Sequence, residues 1–139
     1  MGRDSLGADT KGSYNTAIGD LALTTQNFTS ATDSYNTAVG ASAGAAITTG
    51  KQNTLIGGLA GDATTTADNN TALGYLALTT NTTGSLNTAV GGDTLKLNTT
   101  GAQNVAVGMY TLNANTTASQ NTAVGYAAML STTTGASNV

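Results

Sequence analysis

The chain has no cysteine, histidine, proline or tryptophan, and its seven acidic residues are all aspartate. Each absence removes a class of function. Without Cys or His there is no thiol nucleophile, no imidazole acid–base and no zinc site of the usual kind, so the sequence points away from an enzyme and implies no metal or cofactor. The four basic residues, Arg3, Lys11, Lys51 and Lys96, are too few and too scattered to follow a nucleic-acid backbone. Asp4, Asp9, Asp20, Asp33, Asp62, Asp68 and Asp93 share no common spacing, so no carboxylate pair for glycoside cleavage is indicated. No apolar run approaches the ~20 residues of a membrane span, and Met1-Gly2-Arg3-Asp4-Ser5 lacks the apolar segment of a secretory signal peptide. Large apolar residues are scarce too: Leu, Ile, Val and Phe make up 23 of 139 residues, fewer than a packed globule uses. Disorder would also require a high net charge, and here it is only −3.

What fills the chain instead is Thr, Ala, Gly and Asn in a strict order. Asn87-Thr88-Ala89-Val90-Gly91 has variants beginning at Asn15, Asn36, Asn53, Asn70, Asn104 and Asn121, and Asn138-Val139 opens another. From Asn36 onward the starts are 17 residues apart, while the first interval, Asn15 to Asn36, is 21. Self-similarity at a fixed short period is the signature of stacked coils. The organisation follows: residues 1–14 are a leading partial coil, 15–137 are seven coils with a four-residue insertion in 15–35, and 138–139 start a further coil. The fold class is an all-β parallel solenoid, or β-roll, of 17-residue coils. A helix is excluded because period 17 gives no 3.6-spaced stripe and Thr, Asn and Gly are poor helix residues.

Numbering each coil from its Asn as position 1 gives columns. Positions 1 and 5 are always Asn and Gly, and position 4 is always a branched aliphatic. Alternation along a strand puts positions 2 and 4 on one face and 1 and 3 on the other. The larger side chains are expected inside, so Ile18, Val39, Ile56, Leu73, Val90, Val107 and Val124 form the expected core ladder. Asn15, Asn36, Asn53, Asn70, Asn87, Asn104 and Asn121 form an amide ladder. The small column Ala17, Ala38, Ala72, Ala89, Ala106 and Ala123 then points away from the core. Because each coil carries only two large apolar residues, this column is expected to line an intersubunit face. Position 9 (Leu23, Leu78, Leu95, Leu112, Met129) marks a second short strand. Gly44 and Gly61 interrupt it, with Ile47 and Leu59 expected to fill the gap. A Thr pair at positions 13 and 14 belongs to the returning turn.

Asn-Thr-Ala-Val/Ile-Gly, then Ala-Leu, then Thr-Thr-Gly resembles the repeats of trimeric bacterial autotransporter adhesin heads. Tyr75-Leu76-Ala77-Leu78-Thr79-Thr80-Asn81-Thr82-Thr83-Gly84 is similar to the related repeats of long phage tail-fibre proteins. The resemblance covers the chain from Gly12 onward. It implies a left-handed homotrimer acting as a shaft or spacer of a tail fibre or surface adhesin, on a virion or cell surface, that supports attachment to a host glycan or protein receptor. The 17-residue coil is longer than the usual autotransporter-head coil, and the chain carries no coiled-coil stalk, membrane barrel or fibre-folding chaperone domain.

Other readings compete with the shaft. A self-assembling extracellular filament, stacked end to end, is the alternative that open strand edges invite. The Thr pairs suggest an ice-binding rank, but adjacent Thr residues face opposite ways and no Thr-x-Thr pattern recurs. The insertion around Asn27, Phe28 and Thr29 is the candidate contact loop; its structural alternative is a cap that tucks Phe28 over the core. Tyr75 and Tyr126, both just after the turn glycine, are candidate stacking residues for sugars or partners.

Overall fold

The computed structural model describes residues 2–139. Each coil opens with a three-residue strand at positions 2–4: β2 (Thr16–Ile18), β4 (Thr37–Val39), β5 (Thr54–Ile56), β6 (Thr71–Leu73), β7 (Thr88–Val90), β8 (Val105–Val107) and β9 (Thr122–Val124). These form one seven-stranded parallel sheet in the order β2-β4-β5-β6-β7-β8-β9. Each residue pairs with its counterpart one repeat away, as Thr71 with Thr88 and Leu73 with Val90. A second parallel pair joins β1 (Gly12–Ser13) to β3 (Thr32–Asp33), at the end that carries the insertion. The result is a β-solenoid of about seven turns, roughly 33 Å long at ~4.8 Å per coil.

Position 5 requires glycine for two reasons. Its φ lies between 125° and 144° in every coil, and at Gly40 a Cβ would lie 2.5 Å from the Gly57 carbonyl oxygen of the coil above. The residues after it do not form the expected second strand. Positions 7 and 9 both adopt left-handed φ, as at Leu76 (58°) and Leu78 (56°), so the chain turns where it was expected to run straight. Stacking continues through this turn by backbone bonds between coils, as from Leu78 N–H to the Thr94 carbonyl (3.0 Å). Here the backbone of the neighbouring coils sets a conformation that Leu would not choose alone.

The sheet faces the opposite way from the sequence expectation. Ala38, Ala72, Ala89, Ala106 and Ala123 are buried, while Ile18, Leu73 and Val124 are 52%, 46% and 69% exposed. Val39, Ile56, Val90 and Val107 are only half-buried, shielded by their neighbours along the stack. The proposed core ladder is therefore an outer stripe, and the proposed intersubunit Ala column lines the chain's own core. Ala17, in the lowest strand, packs partly buried against that core. The reason is the narrowness of the roll. Leu23, Leu78, Leu95 and Leu112, reaching in from the opposite wall, fill the interior completely. Only a methyl fits between them and the sheet, and a close-packed interior admits no second large column.

The polar lining follows from the same geometry. Asn36, Asn53, Asn70, Asn87, Asn104 and Asn121 are buried beside the alanines. Their side chains close each coil across its width: Asn87 Nδ2 donates to the Gly101 carbonyl (2.8 Å) and Asn70 Nδ2 to that of Gly84 (2.9 Å). Each Oδ1 accepts the backbone N–H of the next Asn, as Asn70 Oδ1 does from Asn87 (2.9 Å). In a dry interior such groups must be paired, which accounts for an invariant Asn where Thr or Ser would be too short.

Candidate interaction faces

Two solvent-facing columns run the length of the sheet: Thr16, Thr37, Thr54, Thr71, Thr88 and Thr122, with Val105 among them, and the aliphatic column beside them. No charged residue occurs at positions 17, 2 or 4 in any coil. Exposed apolar side chains widen this stripe on both flanks: Tyr14, Tyr35 and Leu86 at position 17, and Tyr75, Met109 and Tyr126 at position 6. Tyr14 and Tyr35 stack with ring centroids 5.0 Å apart and planes 5° from parallel. Tyr126 meets Tyr110 edge-on at 6.1 Å. Its central columns, at positions 2 and 4, are uncharged and amphiphilic along the whole height.

The remaining surface is chemically quieter. At position 13 the Thr hydroxyls bond within the stack: Thr65, Thr82 and Thr99 each donate to the carbonyl of the equivalent Thr in the next coil, at 3.0–3.1 Å. At position 14, Thr49, Thr66, Thr83, Thr100 and Thr117 form one exposed rank. Charges sit at the periphery: Arg3 pairs with Asp20 (3.4 Å) and Lys96 with Asp93 (2.7 Å). The hydrogen bond from Lys96 to the Asp93 carboxylate holds the ammonium above the usual lysine range, against the opposing effect of desolvation. Among the described residues no three carboxylates converge to hold a metal ion.

The insertion is not an aromatic contact loop. Phe28 is 6% exposed, and only Asn27 and Thr29 beside it face solvent. Lys11 Nζ donates to the Thr29 carbonyl (2.7 Å), tying the segment to the leading coil. The ring is therefore not offered to a partner, and it lies outside the main core cluster. Below β2, Ser5, Leu6 and Asn15 border a groove of about 460 Å³ floored by the strand itself. Gly2 to Tyr14 stack on the coil above, as through Leu6 N–H to the Ala22 carbonyl (3.0 Å).

Position 12 forms an inner column that the repeat columns of the sequence did not reveal. Gln26, Ile47, Thr64, Asn81, Asn98 and Asn115 are all buried there. Three of them make a second amide ladder: Asn98 Nδ2 donates to Asn81 Oδ1 (2.9 Å) and Asn115 Nδ2 to Asn98 Oδ1 (2.8 Å). Its identity changes along the chain, so a search for repeated letters passes over it. The available signal was its constant place just before the Thr pair.

No protein-family model, curated protein or solved structure matches the chain. No helix among the described residues is long and apolar enough to cross a membrane.

Proposed function

We propose that this chain is a shaft segment of an attachment fibre, from a phage tail fibre or a surface adhesin, on a virion or cell surface. Copies lie side by side, three of them by the repeat resemblance, and hold a receptor-binding tip away from the particle. The observation that carries this reading is the continuity of the inter-coil bonding. Each Asn from Asn36 to Asn138 donates its backbone N–H to the side-chain Oδ1 of the Asn one coil below. Repeat architectures of this kind add stability coil by coil, so length can change without redesign of the core. A rod of adjustable length serves as a spacer. Its buried Asn side chains are bonded within the stack.

The length rule supplies the test. Duplicating residues 70–86 should lengthen the particle by ~4.8 Å per added coil in small-angle scattering, with the circular dichroism signal per residue unchanged. A collapsed or aggregated product would end the shaft reading. Rods that lengthen with protein concentration would make the chain a filament subunit. Saturable binding of the isolated chain to cells would move its role to direct adhesion. Measurable thermal hysteresis would favour ice binding.

A further inference from the structure

We infer that Tyr14 and Tyr35 form an oxidative modification site, at which a one-electron oxidant joins the two phenol rings through a carbon–carbon bond and staples the leading coil to the coil above. The sequence sets the chemistry. With no Cys, His or Trp in the chain, tyrosine is the easiest one-electron donor present, whereas methionine takes up oxygen from peroxides as the sulfoxide. Tyr14 is 70% and Tyr35 50% exposed, so a soluble oxidant reaches both hydroxyls. Each phenol gives one electron and its hydroxyl proton to the oxidant. The two phenoxyl radicals then pair their electrons in a bond between ortho carbons, and the hydrogens on those carbons move to the oxygens and restore both hydroxyls. Two hydrogen atoms leave in all; with a haem peroxidase as the oxidant, one hydrogen peroxide takes them up as two waters. No residue of a neighbouring copy is needed.

The backbone sets the geometry. β1 and β3 pair Ser13 with Asp33, and that register, continued, would place Ser34 over Tyr14. Instead the Ser34 and Tyr35 N–H groups both donate to the Ser13 carbonyl (3.1 and 3.4 Å). By β2 and β4 the pairing has moved on by one residue, to Thr16 with Thr37. Such a bulge re-aims a side chain, and here it sets Tyr35 over Tyr14. Both residues hold a left-handed φ, 61° and 51°, so their rings leave the backbone in the same direction. The planes lie 5° from parallel with centroids 5.0 Å apart, close to the ~4.8 Å rise of one coil. The rings are thus related by the stack translation, and each carbon ortho to a hydroxyl lies over its counterpart. Tyr110 and Tyr126 meet at 84°, edge against face, which keeps their ortho carbons apart.

Trypsin separates the two pairs. Cleavage at Lys11, Lys51 and Lys96 leaves Tyr14 and Tyr35 together in 12–51, Tyr75 alone in 52–96, and Tyr110 with Tyr126 in 97–139. The folded chain at low micromolar concentration is treated with peroxidase and hydrogen peroxide, then denatured and digested. Fragment 12–51 should become lighter by two hydrogen atoms and carry dityrosine fluorescence, and the undigested product should run as a single chain on a denaturing gel. Tyr14→Phe and Tyr35→Phe should each abolish that product, while Tyr126→Phe keeps it. Chain unfolded in urea before oxidation should couple these residues less. The bond closes the loop between the two residues and so restricts the unfolded chain. Oxidised wild type should therefore unfold at a higher urea concentration than oxidised Tyr14→Phe. No lightened 12–51 fragment, coupling confined to 97–139, covalent dimers as the main product, or equal yield from chain unfolded beforehand would each overturn the site. An unmoved midpoint would overturn the staple.

Discussion

The coils at 36–69 and those at 70–120 enclose the same interior by different means. In the upper coils the opposite wall supplies Leu78, Leu95 and Leu112, the sheet supplies alanine, and position 12 supplies Asn81, Asn98 and Asn115. In the lower pair position 9 is Gly44 and Gly61, the sheet contributes Leu55, and Ile47 takes position 12. All these side chains are buried to the same degree. Leu55 occupies the missing volume from the other side: a Cβ on Gly44 would lie 2.8 Å from Leu55 Cδ1, and one on Gly61 2.9 Å from Leu55 Cδ2. What is held constant along the stack is the filled volume of each layer, shared between two walls. The letter in a column can change if its opposite changes with it.

The largest expected effect breaks that exchange from one side. Leu55→Ala should cost roughly 2–5 kcal/mol in urea unfolding, as a large core residue lost into a cavity. Gly44→Leu or Gly61→Leu alone should each cost about 1–3 kcal/mol by overpacking against Leu55. The triple variant Leu55→Ala, Gly44→Leu, Gly61→Leu gives the lower pair the position 3 and position 9 residues of the upper coils, with Ile47 and Thr64 kept at position 12, and should recover part of the loss. The left-handed φ at Gly44 and Gly61 (59° and 56°) is the one that Leu78 already adopts (56°), so the backbone does not oppose the change. A triple variant no more stable than Leu55→Ala would show that the two patterns are not interchangeable.

The second difference is polar against apolar filling. Asn98→Ala removes the middle rung of the upper ladder, and a loss of about 1–3 kcal/mol is expected because buried amide groups of Asn81 and Asn115 lose partners. The ladder is also incomplete at its ends. Thr64 Oγ1, where it meets the apolar filling, and Asn115 Oδ1, below Thr132, have no hydrogen-bond partner. Thr132→Asn offers a donor to Asn115 Oδ1 and should stabilise by about 0.5–1.5 kcal/mol, read as a raised unfolding midpoint at unchanged slope. An unmoved or lowered midpoint would mean that the last coil is too open for the ladder to extend into it. The smallest effect is at the surface. Because the folded-state pKa of Lys96 is raised, its ion pair contributes fully below the ordinary lysine value of ~10.4 and is lost as pH rises through the folded value. Lys96→Met should therefore lower neutral-pH melting slightly, as expected of an exposed pair, and the difference from wild type should vanish once pH exceeds the folded value.

The period, the Asn ladder and the Gly turn were legible because each depends on the letters alone. Which face of the strand points inward was not. Alternation groups Ala89 with Asn87 and Val90 with Thr88, but it assigns neither group to the core. Side-chain size suggested the wrong answer, since the available width is set by Leu95 and Leu112, residues distant along the coil. The same wall explains why Leu55 was overlooked as the partner of Gly44 and Gly61 while Ile47 was anticipated. Leu59, expected to help, is only half-buried. The position-9 turn was read as a strand because apolar residues beside small ones look extended until the coil above imposes a left-handed φ.

The Asn columns also give the stack an order in time. Each side-chain amide spends its protons on its own coil or the one before it, as Asn98 Nδ2 does on Gly101 and Asn81. At the bottom, the Asp9 side-chain oxygens receive Gln26 Nε2 (2.6 Å) and Asn15 Nδ2 (3.4 Å). A coil laid down in chain order thus leaves only side-chain oxygens waiting along these columns, and an unfilled oxygen is the cheaper orphan. Synthesis from the amino end and completion of the ladders run in the same direction, so no finished rung has to await chain that does not yet exist.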